Sequence, residues 1–281
     1  MFMDRSTAIS SLLDRASPCW AGEARVVREY FGSASRSRET DVRWIGFQVF
    51  KEFTGSGVYG GPNVTVAAIL RSAADDAGRL DLSTPGDEIR EVLDRLHFAV
   101  DEFRHTTQLI ALYRAVGGDP ERAISSLGSL DQGVRLVALR HAHRRTVIGR
   151  WAVDLSEGGG LGMYFGIQEH FRLQSRDDAL SRGITDMAKV TLRDEMKHLV
   201  HRFAVVLDHV DDSATWHQVE LALQEIAVQK LHERNEQFSS PLSNEEISRC
   251  VKDVDQGRKY VRAHLGFLLS GVQHHASLDS M

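Results

Sequence analysis

The chain has 281 residues, 42% of them hydrophobic, and a formal net charge of −5. That composition supports a sizeable core and gives no basic excess for a nucleic acid or an anionic membrane surface, so neither partner is expected. Two cysteines, Cys19 and Cys250, are too few for a disulfide framework, and no charged-then-apolar leader or run of about 18 apolar residues is present, so the chain reads as soluble and cytoplasmic.

With five Pro and almost no alternating β-branched runs, the chain reads as nearly all helix. The expectation is one all-α domain over 1–281, with a core at about 40–210 and flanking helices at 1–39 and 211–281. Ser6–Ala16 and Ala21–Phe31 read as short helices separated by Ser17-Pro18. A first long helix starts near Thr40-Asp41, uses Trp44, Phe47, Val49 and Phe50 as core, and turns Glu52 inward. Gly60-Gly61-Pro62-Asn63 reads as a break, followed by a helix ending at Gly78. Asp87 is the expected N-cap of a second long helix that reaches about Val116 and carries Glu102 and His105. Asp131 opens a third, running through Glu157 towards Leu173. After a turn at 175–178, a fourth helix carries Glu195 and His198. Thr215–Gln237 and Ser243–Gly271 close the chain, the latter opened by the capping sequence Ser243-Asn244-Glu245-Glu246. They carry no chemical signature, and packing or a homodimer contact accounts for them.

Two pentapeptides organise this series: Asp101-Glu102-Phe103-Arg104-His105 and Asp194-Glu195-Met196-Lys197-His198, both D-E-x-(R/K)-H. Residues three apart share a helix face, so each copy presents a carboxylate and an imidazole in one direction. Such a pair suits iron or manganese. Doubled, and joined by one Glu from each of two further helices, it is the ligand set of ferritin-like di-metal proteins. The partner carboxylates emerge from a second repeat, E-x-x-G-x-G-(V/M)-Y, which begins at Glu52 and again at Glu157. If the turn falls at 175–178, Glu157 and Glu195 stand at one height on antiparallel helices, whereas Glu169 misses by roughly 15 Å at 1.5 Å per residue.

Around these six ligands lie weaker candidates. Asp101 and Asp194, four residues before each His, are placed to fix the imidazole that binds metal. Tyr59 and Tyr164 sit two turns beyond their Glu, where a satisfied core tyrosine is the favoured reading over a role at the site. His201, one turn beyond His198, reads as a neighbouring pocket wall in preference to an extra ligand. The glycines at 158, 159, 160, 162 and 166 cost about 0.5–1 kcal/mol each relative to Ala in a helix interior. Either Gly158 and Gly162 leave room for a substrate or O2, or the helix is approached closely by another or carries a local π-type distortion. His141 and His143 lie in a basic run read as solvated, and His274-His275 in a frayed tail.

Asp101-Glu102-Phe103-Arg104-His105-Thr106 resembles the D-E-x-R-H-T signature of bacterial multicomponent di-iron monooxygenases, and more loosely the ferritin-like superfamily that includes small di-iron oxygenases and aldehyde-deformylating enzymes. The resemblance implies a four-helix bundle with additional terminal helices. Within it, two Fe ions, or Mn and Fe, would be held by Glu52, Glu102, His105, Glu157, Glu195 and His198, with Glu102 and Glu195 bridging. It departs from those monooxygenases at Leu161, where they carry a Thr. Four carboxylates and two imidazoles then predict O2 as co-substrate in the oxidation of a small organic molecule, by hydroxylation, N-oxygenation, desaturation or C–C cleavage, with an external electron donor such as a ferredoxin or reductase. The competing readings are a ferritin-like iron-binding or ferroxidase protein with no organic substrate, and a helical interaction protein in which both motifs are coincidence.

Overall fold

A computed structural model describes residues 4–53, 66–81, 83–121, 130–173 and 178–268, and among these there are helices and no strand. In chain order the helices are α1 (Arg5–Gly32), α2 (Arg38–Phe53), α3 (Val66–Ala77), α4 (Gly86–Ala115), α5 (Asp131–His143), α6 (Val147–Leu155), α7 (Gly158–Leu173), α8 (Ala179–His209), α9 (Ser213–Gln237), α10 (Asn244–Lys252) and α11 (Val254–Tyr260), the last running into a π-helical turn, Val261–Leu265. The chain forms two compact units, Met1–Thr40 with Ser129–Met281, and Asp41–Gly128. None of the described helices is long and apolar enough to cross a membrane. The break at 60–63, Tyr59, most of the turn at 175–178 and His274-His275 lie outside the described residues.

In the first unit α1 packs against α7, α9, α10 and α11, and α7 packs on α8. Asp4 caps α1 by accepting from the Thr7 backbone N–H at 2.8 Å. One helix stands where the sequence suggests two, because it passes through Pro18 unbroken. A proline inside a helix costs about 3 kcal/mol. Here every residue from Ala16 to Ala24 is buried, so the packing of both halves offsets the lost backbone bond. Gly257 of α11 makes room for the proline, since a Cβ there would stand 2.8 Å from the Pro18 nitrogen.

The opposite happens between Asp131 and Leu173, where one expected helix is three. Thr146 starts α6 by accepting from the Gly149 N–H at 3.0 Å, and Gly149 presses against the His143 carbonyl, which no larger residue would permit. Ser156 and Glu157 form the turn between α6 and α7. At the other end of the chain the Ser243–Glu246 capping box is present, but the helix it opens stops at Lys252, and Asp253 caps α11 by accepting from Gln256.

The second unit contains most of α2 together with α3 and α4, and α3 packs on α4. Asp76 and Arg95 pair across those two at 2.9 Å. Within α2 the Trp44 indole donates to Asp41 at 3.0 Å. Helix α4 starts at Gly86, just before the Asp87 expected to cap it, with Pro85 at the N-cap position; proline's fixed φ suits a helix start.

Candidate metal centre

Helical period alone brings Glu102 and His105 of α4 to one face, and both are buried, at 7% and 0% exposure. Glu52, in the last turn of α2, joins them: each of the three offers a ligand atom within 4.8 Å of the others. Glu52 Oε2 stands 3.7 Å from His105 Nδ1, and Gln48, one turn earlier, donates to Glu52 Oε1 at 2.7 Å. Burial pushes the Glu52 carboxyl up, but His105, Glu102 and Gln48 outweigh it and hold the group at about 2. Two buried carboxyls and an imidazole facing one point form a donor set that fits a divalent transition ion.

The residues of the second copy lie within the other unit, where Glu157, among the described residues, belongs to no group of three or more whose ligand atoms all come within 4.8 Å of one another. On α8, Glu195 Oε2 lies 3.9 Å from His198 Nδ1. Burial pushes the His198 imidazole down, but Glu195 and Glu157 outweigh it and raise it above its usual value. Glu157 projects from the turn between α6 and α7, where burial pushes its carboxyl up against the pull of Arg202 and His198. Arg202 Nε stands 2.8 Å from Glu157 Oε2, and its Nη1 stands 3.5 Å from Asp154. The 2.8 Å contact brings the charges together without an aligned N–H···O hydrogen bond. Sequence reasoning missed Arg202, although the signal was present: Glu195, His198 and Arg202 follow the i, i+3, i+7 stripe of a single helix face.

A buried polar network fixes the turn that carries Glu157. Lys230 Nζ donates to the Ser156 carbonyl at 3.1 Å, and Arg140 Nη2 donates to Ser156 Oγ at 3.2 Å. Burial pushes the Lys230 ammonium down, to about 8, against the pull of Glu23. Glu23, fully buried, accepts from Arg234 Nε at 3.1 Å, and Arg234 also donates to Gln237 at 2.6 Å. These partners come from α1, α5 and α9, so no local motif could have announced them.

The remaining candidates separate. Asp101 accepts from Arg104 at 2.6 Å, and Asp194, buried, stands 3.4 Å from Arg193. A Glu52 oxygen faces His105 Nδ1 and a Glu195 oxygen faces His198 Nδ1, so the metal-facing ring nitrogen would be Nδ1 in both copies. Tyr164 is buried in the core, and His201 is half-buried. Gly158, Gly159, Gly162 and Gly166 of α7 face α1. A Cβ at Gly158 would stand 2.7 Å from the Trp20 ring, and one at Gly162 or Gly166 would stand 2.6 Å from the Trp20 or Ala24 carbonyl. The close-approach reading of this cluster is the one the packing carries, because the space beside Gly158 and Gly162 is filled by α1.

Comparison with known proteins finds no matching family model, curated protein or solved structure.

Proposed function

We propose that this chain is a ferritin-like, non-heme di-iron oxygenase or oxidase, in which Glu52, Glu102 and His105 hold one ion and Glu157, Glu195 and His198 the other. The observation that carries the reading is the convergence of Glu52, Glu102 and His105 within 4.8 Å, reached independently from the sequence repeat and from the geometry. When bound, such a pair of ions supplies O2 activation for the oxidation of a small organic substrate. The chain's own contribution is charge and exclusion. Four carboxylates offset most of the charge of two divalent ions, and two imidazoles add neutral donors. Burial of Glu102, His105 and His198 keeps bulk water from the ligands and strengthens each electrostatic contact. Lys230 and Arg140, through Ser156, hold the Glu157 turn in place.

The test is anaerobic loading with Fe(II), metal analysis, and O2 consumption with a panel of amines, fatty acids and amino acids. Two ions per chain and substrate-dependent O2 uptake support the proposal. A chain that binds no transition ion sinks it. One observation favours the storage or ferroxidase reading as the second choice: the α7 glycines serve packing against α1 and so do not call for an organic substrate. Equal O2 uptake with and without every candidate substrate would select it.

A further inference from the structure

The inference here rests on the reading of the two copies as metal-holding triads, and it concerns how they differ. In the register that equates Glu102 with Glu195, the place of Arg202 is taken in the first copy by Leu109, seven residues beyond the Glu and fully buried. In the register that equates Glu52 with Glu157, the place of Gln48 is taken in the second copy by Val153, also fully buried. Glu52 therefore receives a neutral amide at 2.7 Å, and Glu157 receives a guanidinium at 2.8 Å. The consequences for a bound cation are opposite. An amide leaves the negative charge of Glu52 intact and orients it. A guanidinium cancels the charge of Glu157, competes for its oxygen, and repels a second cation from the same place. Arg202 also has somewhere to go, because Asp154 lies 3.5 Å from its Nη1 and is partly open to solvent. Turning from Glu157 to Asp154 would not strand a buried charge, which is the usual reason such pairs stay locked.

We propose that the two triads are unequal metal positions: Glu52–Glu102–His105 fills first and tightly, Glu157–Glu195–His198 fills second and weakly, and Arg202 sets the difference. Such a chain is suited to ordered loading, and to carrying two different metals when a second kind is supplied after the first has saturated the tight position.

The experiment is an anaerobic titration of the full-length chain with Co(II), and separately Fe(II), followed by calorimetry and equilibrium dialysis. Two binding steps at least about tenfold apart are expected, with His105→Ala removing the tight step and His198→Ala the weak one. Arg202→Leu, which copies Leu109, is expected to tighten the weak step by about 10- to 100-fold, the usual range for residues bonded to metal ligands, and to leave the tight step within about twofold. Arg202→Lys keeps the separation, and Asp154→Asn, by removing the alternative partner, weakens the second step further. Two equal steps in the natural protein, or a weak step that Arg202→Leu leaves unmoved, would overturn the proposal while leaving the metal reading standing. Absence of saturable binding in the natural protein would overturn both. Should Arg202→Leu fail to fold by circular dichroism, Asp154→Asn decides, and an unchanged second step in that variant counts against the proposal.

Discussion

Glu52 and Glu157 open the same repeat, yet one sits beside Gln48 in a cluster that draws its carboxyl down to about 2, and the other beside Arg202 in a buried turn that pushes it up. The motif residues are alike in the two copies. Burial, with His105 and Glu102 on one side, sets those directions; what also differs is the neighbour one or two turns away, Gln48 or Arg202, which under the proposal sets how much negative charge each copy offers to a cation. A repeated motif thus points to the side chains that could bind, while the unrepeated neighbours are where the two copies come to differ.

The hardest test of the comparison removes a ligand from each copy. Glu102→Ala and Glu195→Ala should each lower the affinity of their own position by more than about 100-fold, beyond the 10- to 100-fold typical of residues bonded to ligands, and dialysis should show one ion lost in each case. Loss of both ions from either single variant would mean that the copies do not act as separate positions.

A pH titration of stability addresses the clamp on the second copy. The Lys230 ammonium lies near 8 when folded against an ordinary value of 10.5, so between those values the unfolded chain binds the extra proton and folding gains stability as pH rises. The gain is about 3 kcal/mol at 1.36 kcal/mol per unit, is absent below about pH 8, and should vanish in Lys230→Met, as chemical denaturation at pH 7.5 and 10.5 would show.

The glycine seam offers a contrast within one helix. Gly162→Ala places a methyl 2.6 Å from the Trp20 carbonyl and should destabilise by about 1–3 kcal/mol, as overpacking does. At Gly160, the nearest atom to an added Cβ is Lys230 Nζ, at 3.8 Å, so Gly160→Ala should instead stabilise by about 0.5–1 kcal/mol. Thermal unfolding of the two variants distinguishes a packing seam from a substrate cavity, which would tolerate both. The smallest effect belongs to Ser243→Ala, about 1 kcal/mol from loss of the capping box, with no change in either metal step.

Much of the helix content was legible because apolar periodicity is a local property. The starts of α2, α5 and α9 fall within two residues of where capping and periodicity place them. The failures have a common cause. Pro18 reads locally as a breaker, but burial on α7, α9 and α11 keeps α1 continuous. The stretch 131–173 reads locally as one helix, but the cap at Thr146 and the turn at Ser156 divide it. In both cases energies of a few kcal/mol, too small to see in a pattern, decide the outcome.

By itself the sequence determined an all-helical chain, two internal copies of one motif, and a face on α4 and another on α8 that each present a carboxylate with an imidazole, because 3.6 residues per turn is enough to fix such neighbours. Only the tertiary structure decided that α1 fills the space beside the α7 glycines and that Lys230 and Arg140 grip Ser156. It alone paired Arg202 with Glu157, 45 residues earlier in the chain. Those are through-space encounters between elements far apart along the chain, and their outcome depends on helix packing and desolvation rather than on any spacing that can be counted.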